Sequence, residues 1–364
     1  MQSIDTLSDF LTVAGSGRAD TTGYRVYDLS RRVQPIDRHE FARIERGETP
    51  FPYPRQQQAF LGVVFWNTTR ADDPYIWFIR LPLDERGLFQ HAARQHFLSI
   101  IVTALSSNTD QQSPEQQDKI LAQNPYIFTP DEARRAAFHA QVSRDLNHPP
   151  SIYFEDAEAW LSEQGRHNNR EKDWQNIGIQ GIHDVCCRRL NSPAIVNTLQ
   201  KDFNGWPEPL QNAVVEAIEH QQLADALAQH WQGELAKYLQ SSTLNTDFLL
   251  SRLRLLSSVS HQEETRNVVR QLLQRLPNQE PDRQDILLTL GARCWPALAT
   301  AANINAYFTA LAAEAESVFV GIFRDLVMLP ELRGLILNLF RQSNLAPELQ
   351  LTFNQLANRT RSQA

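Results

Sequence analysis

Apolar positions along the chain change their period after the first hundred or so residues. In the opening stretch Ile4, Leu7, Phe10, Leu11 and Ala14 recur at steps of three and four, which gathers them on one face of a helix. GSGRADTTG, rich in small residues, ends it. Residues 24–36, YRVYDLSRRVQPI, mix β-branched and aromatic residues with charges at alternate positions and read as one or two short strands. Asp37 then has the character of an N-cap with Glu40 three residues on, and Phe41 and Ile44 predict a short helix stopped at Gly47. After the proline-rich ETPFPYP, residues 59–66 and 75–81 are strand-length runs apolar on both faces, joined by NTTRADD. They predict a hairpin at the centre of a sheet, with 75–81 as the central strand. A helix over 88–105 follows, burying Ala93, Phe97, Ile100, Ile101, Ala104 and Leu105.

The pattern breaks at SSNTDQQSPEQQDK, residues 106–119, which is polar, glutamine-rich and without aromatic residues. Strand signals nearly vanish beyond it. TPDEARRAAF predicts a helix start with Thr129 as cap, Pro130 at the first helical position and Glu132 completing the box. From Trp174 onward helix follows helix, with starts near Glu208, Thr246, Asp282 and Ser317, a recurrence of roughly 35 to 40 residues that is typical of two-helix solenoid units. The units share little identity: GWPEPL and CWPALA have only a Trp-Pro step in common. The expected organisation is an α+β domain over 1–107, a small mostly antiparallel sheet with helices. A polar linker over 108–128 and an all-α, HEAT-like or irregular α-solenoid over 129–364 follow, with a compact helical bundle as the alternative.

Composition narrows the function classes. The 364 residues are 42% hydrophobic and 21% charged, an ordinary globular balance. A net charge of -7 sets any nucleic-acid site against an unfavourable field, and no basic patch stands out, so no nucleic-acid partner is expected. The start of the chain lacks the basic and apolar regions of a signal peptide, and no apolar run approaches the roughly 18 residues of a membrane span. Three cysteines, two of them adjacent, make no disulfide framework and fit a reducing cytoplasm, so a cytoplasmic protein with no membrane partner is expected.

Candidate chemistry is sparse. His183, Cys186 and Cys187 in GIHDVCCRRL form the most metal-like group, but zinc needs about four ligands and no second pair is spaced to supply them. A cysteine nucleophile would want an electropositive, partly open setting; Arg188 and Arg189 offer some of that, yet two cysteines inside a helix read more simply as packing. No phosphate loop, G-x-S-x-G, H-E-x-x-H or EF-hand pattern occurs. SRRV and RLRLL are short basic spots that read as solvated faces. Asp84 and Glu85 sit where the 75–81 strand leaves through Pro82. Adjacent carboxylates rarely aim at one reacting bond, so they read first as turn and helix-start charges, with Arg80 as a partner.

FLGVVFWN, PYIWFIRLPLDERGL and GIQGIHD together resemble a family of uncharacterised proteobacterial proteins that carries a domain-of-unknown-function label. The resemblance implies a bacterial cytoplasmic protein and carries no assigned residues, cofactor or metal. The reading that follows is an uncharacterised protein acting as a non-enzymatic protein-protein interaction, scaffold or regulatory module that needs no cofactor. Its candidate surface on the N-terminal domain comprises Trp66, Trp77, Arg80, Asp84, Glu85 and Arg86. The alternative is an enzyme or small-ligand binder with its site at the end of the central strand.

Overall fold

The computed structural model describes residues 5–13, 22–68, 74–106, 124–162, 173–276 and 282–363. The chain divides into two compact units, Met1–Asp131 with Met328–Pro330, and Glu132–Val327 with Glu331–Ala364.

In the first unit β1 (Thr22–Asp28), β2 (Gln34–Ile36), β3 (Gln58–Asn67) and β4 (Tyr75–Pro82) form an antiparallel sheet in the order β2-β1-β3-β4. The register sets Val26 and Trp77 on either side of Val63, and since side chains alternate, Tyr24, Leu61, Phe65, Ile79 and Leu81 share their face. Helices α1 (Leu7–Val13), α2 (Arg38–Glu45) and α3 (His91–Ser106) bury that face with Leu7, Phe10, Leu11, Phe41, Ile44, Phe97, Leu98 and Ile101. Local chemistry fixes their starts. Thr6 and Asp9 cap α1 reciprocally, and the buried Glu45 carboxylate accepts from the Leu7 and Ser8 amides at 2.7 and 2.9 Å. Asp37 caps α2 as its position predicts, accepting from the His39 and Glu40 amides.

Two expectations need correction here. The interior strands are β1 and β3, and β4, expected at the centre, is paired with a strand on one side alone. Its outer edge is met by residues 126–128: the Arg80 amide donates to Tyr126 O (2.6 Å) and the Phe128 amide to Phe78 O (3.1 Å). An apolar edge left bare would template pairing with another chain, and residues 126–128 cover this one through those two bonds and the isolated Ile79–Ile127 bridge. Residues 107–123 lie outside the described residues. Helix α3 begins at His91 because Leu83 and Phe89 first pair as an isolated bridge.

At the end of β1, Asp28 is fully buried. Burial pushes its carboxyl up to about 6, against the Ser30 amide and the Gln34 side chain that donate to it. The folded value exceeds the ordinary 3.8, so this contribution to stability is complete below pH 3.8 and is lost as pH rises through about 6. Asp28→Asn is expected to raise stability at neutral pH by about 2–3 kcal/mol and to flatten the urea midpoint across this range, as a pH series of unfolding curves will check.

The described residues of the second unit are helical and turn segments: α4 (Glu132–Asp145), α5 (Phe154–Leu161), α6 (Ile179–Arg189), α7 (Pro193–Asp202), α8 (Glu208–Ile218), α9 (Asp225–Tyr238), α10 (Thr246–Leu255), α11 (Glu263–Leu273), α12 (Asp282–Arg293), α13 (Ala301–Leu311), α14 (Glu316–Leu326), α15 (Pro330–Phe340) and α16 (Pro347–Gln363). The predicted starts at Glu208, Thr246 and Asp282 are met, and α14 begins one residue before Ser317; α4 begins at Glu132, not Pro130. Packing alternates. One row stacks α4, α6, α8, α10, α12 and α14 in turn, and a second stacks α7, α9, α11 and α13.

The second row repeats in its burial rather than its identities. Ser192, Ala224, Gln262 and Thr300 occupy the N-cap positions of its four helices, Thr300 alone accepting there with its side chain. After each cap two residues are exposed, the third (Ile195, Leu227, Thr265, Asn303) is buried, and so is the seventh (Leu199, Trp231, Val269, Tyr307). The eighth residue reaches the next helix of the row: Gln232 Nε2 donates to Thr265 Oγ1 (2.9 Å) and Arg270 Nε to Asn303 Oδ1 (3.1 Å). A polar group buried at the third position is therefore satisfied by the preceding helix, which locks the stacking register.

RLRLL is not a solvated face. Arg252 has a side chain 2% exposed, ion-paired to Glu234 at 2.5 Å, hydrogen-bonded to Asn204 and Ser251, and set between the rings of Phe248 (4.2 Å) and Phe203 (5.3 Å). Arg254 diverges from it and joins Arg293 on the buried Glu219 carboxylate, at 2.7 and 3.1 Å. These arginines tie successive helices together.

Candidate functional site

The six residues nominated on the N-terminal unit do not converge. Trp77 is packed in the core, stacked on Phe10 at 5.8 Å and edge-on to Phe65 at 4.7 Å. Trp66 falls on the opposite face of the sheet, its ring against Gly23, so the two indoles form no common platform. Arg80 is exposed on Trp66's face. Asp84 builds the exit turn: one carboxylate oxygen accepts from the Arg86 and Leu88 amides at 2.9 and 2.8 Å, with Gly87 at φ +83° closing the turn. Glu85 and Arg86 are exposed.

The motif GIQGIHD does more. It opens α6 and forms a socket for residues 151–153. Asp184 Oδ2 accepts from the Ser151 amide (2.9 Å), Gln180 steadies Asp184 Oδ1 and reaches Ala136 O, and Ser143 Oγ donates to Pro149 O (2.8 Å). Tyr153 lies so close that a Cβ on Gly181 would stand 2.4 Å from its carbonyl oxygen, and one on Gly178 3.1 Å from its ring. Gly181→Ala is therefore expected to cost about 1–3 kcal/mol, whereas Gly233→Ala, in the open on α9, is expected to stabilise by about 0.5–1 kcal/mol; thermal unfolding of the two variants side by side makes the comparison. The socket leaves Ile152 88% exposed and Tyr153 48% exposed on an anchored segment.

Next to it lies a trough. Two adjoining cavities of about 270 and 360 Å³ share Arg144, Cys187, Arg188 and Arg189; Pro150 and Phe154 line one end, Asn191 and Gln222 the other. Arg144 ends α4, pairs with Asp145 at 2.9 Å and donates to Cys187 O; Arg189 ends α6 and pairs with Glu158 at 3.1 Å. Arg188 instead donates to neutral oxygens, Ser143 Oγ (3.0 Å) and His148 O (2.9 Å), and has no ion pair among the described residues. Its fork is positioned while its charge stays available, the condition for holding an anion.

The cysteines are thiols. Burial pushes Cys187 up to about 11, against the pull of Arg144, and drives Cys186 higher still, so neither supplies a thiolate near neutral pH. No group of three or more His, Cys, Asp or Glu that could hold a metal occurs among the described residues. The residues here that suit a ligand are the arginines, and the ligand they suit is an anion. Sequence reading noted Arg188 and Arg189 only as neighbours of the cysteines and missed Arg144 and the 149–153 segment. The available signal was HPPSIY, two prolines ahead of an unaccompanied isoleucine.

Fold and site together define a protein with a small antiparallel sheet unit followed by an all-helical unit that carries an arginine-lined trough. No helix of the described residues is long and apolar enough to cross a membrane. The chain belongs to the family described as Protein of unknown function (DUF3549), which matches residues 2–357. No curated protein and no solved structure matches it.

Proposed function

We propose that the chain is a non-enzymatic protein-interaction module of the bacterial cytoplasm, its helical unit an α-solenoid that offers a protein partner an extended surface including the trough. The observation that carries this reading is the repeated register of the second helix row, in which equivalent positions of all four helices are buried and the eighth residue reaches the following helix. Units that contact only their neighbours leave long lateral surfaces and need no deep pocket. The raised thiols argue against cysteine chemistry at the trough.

The test is cross-linked affinity capture with the full chain as bait, followed by reconstitution with the purified partner. A stoichiometric complex on size exclusion, weakened by substitutions in the helical unit, supports the module. Copurification of a metabolite with no reproducible protein partner sinks it.

A further inference from the structure

Resting on the module reading, we infer that the trough binds an extended acidic peptide segment of the partner, its carboxylates on Arg188 and Arg189 and an apolar side chain on Ile152, Tyr153 and Phe154. Three observations carry this. First, Ile152 is 88% exposed, yet its backbone is held by the Ser151–Asp184 bond and by Tyr153 on Gly181, with two prolines just before it. An aliphatic side chain displayed on a segment that is already ordered loses little entropy on binding, which is the character of an interface anchor.

Second, the charge beside it is incompletely neutralised: Arg144 and Arg189 are paired with Asp145 and Glu158, while Arg188 donates only to neutral acceptors among the described residues. In a chain of net charge -7 this concentration of three arginines selects an anionic partner locally while the rest of the field disfavours polyanions such as nucleic acid. Third, the site is long. Adjoining cavities run from Pro150 and Phe154 through the arginines to Asn191 and Gln222, a progression from apolar to cationic to amide surface. A free phosphate would fill a fraction of it, whereas a segment with spaced carboxylates and an apolar residue matches its whole length.

The experiment is selection of random dodecapeptides on the immobilised full chain at low salt, followed by anisotropy titration of the selected peptides. Selected peptides should combine Asp or Glu with Phe, Leu or Trp, and their Kd should rise at least about tenfold in Ile152→Asp and in Arg188→Glu. Ile152→Asp is at a site too exposed to unfold the chain, and an unchanged circular dichroism spectrum will verify that. Peptides without acidic residues, or affinities that neither substitution changes, overturn the inference while leaving the module standing. Displacement of every peptide by millimolar inorganic phosphate overturns it in favour of a free anion. Failure to select any peptide, together with capture of no protein partner, overturns both.

Discussion

Glu219→Ala is expected to lower the unfolding free energy of the helical unit by about 3–5 kcal/mol, read as a shift of the urea midpoint. The side chain is 3% exposed and its carboxylate holds Arg254 and Arg293, which belong to the next two helices of its row. Removing it takes the shared counter-charge away from two partly buried guanidiniums, of which Arg254 retains Glu216 at 3.6 Å, and so weakens the tie among three helices. Glu219→Gln is expected to be nearly as damaging, because although it keeps one oxygen acceptor it loses the charge that faces both guanidiniums.

The same residue sets an acid limit. Burial alone would raise its carboxyl, but Arg293, His220 and Arg254 bring it down from 4.5 to about 2. Burial drives His220 well below its ordinary value, so the ring helps hold the carboxylate only in acid, where it is protonated, and at neutral pH the guanidiniums are the working partners. With the folded value below the unfolded one, the stabilisation is present above pH 4.5 and is lost as pH falls through about 2. Glu219→Ala should therefore lose much of the wild type's acid dependence in that window. Asp28 acts in the opposite direction and at higher pH, so two different substitutions address the two limbs of the stability profile.

Arg252→Ala is expected to cost about 3–5 kcal/mol, and Arg252→Lys to recover little of it. The guanidinium is engaged on three sides, by Glu234, Asn204 and Ser251, while its faces lie against Phe248 and Phe203. A lysine ammonium has neither the planar faces for those rings nor a fork that reaches Glu234 and Asn204 together. Lysine at 252 that restores full stability would show that charge alone matters there.

Period and turn chemistry made most of the architecture legible: the α1 face, the Asp37 cap, two apolar hairpin strands, and the starts of α8, α10 and α12. They could not order the sheet. An interior strand and a covered edge strand are both apolar on both faces, and what covers β4 is residues 126–128, which come after a long polar run. Nor could sequence separate the two arginines of RLRLL from a solvated pair, because the acids that bury them, Glu234 and Glu219, come from other helices. The helical repeat hid for a related reason. What recurs is a burial register, and Thr265 with Gln232 does the work of Asn303 with Arg270 without sharing an identity. The trough is assembled from α4, the segment before α5, and the end of α6, so no single stretch announced it.

The measurement that bears most directly on the interaction-module account is hydrogen exchange of the full chain with and without its captured protein partner. The account predicts slowed exchange in the helical unit, over residues 150–154 and 186–192, with the sheet unit unchanged. Protection confined to the sheet unit, or to the exit turn at Asp84, would contradict it.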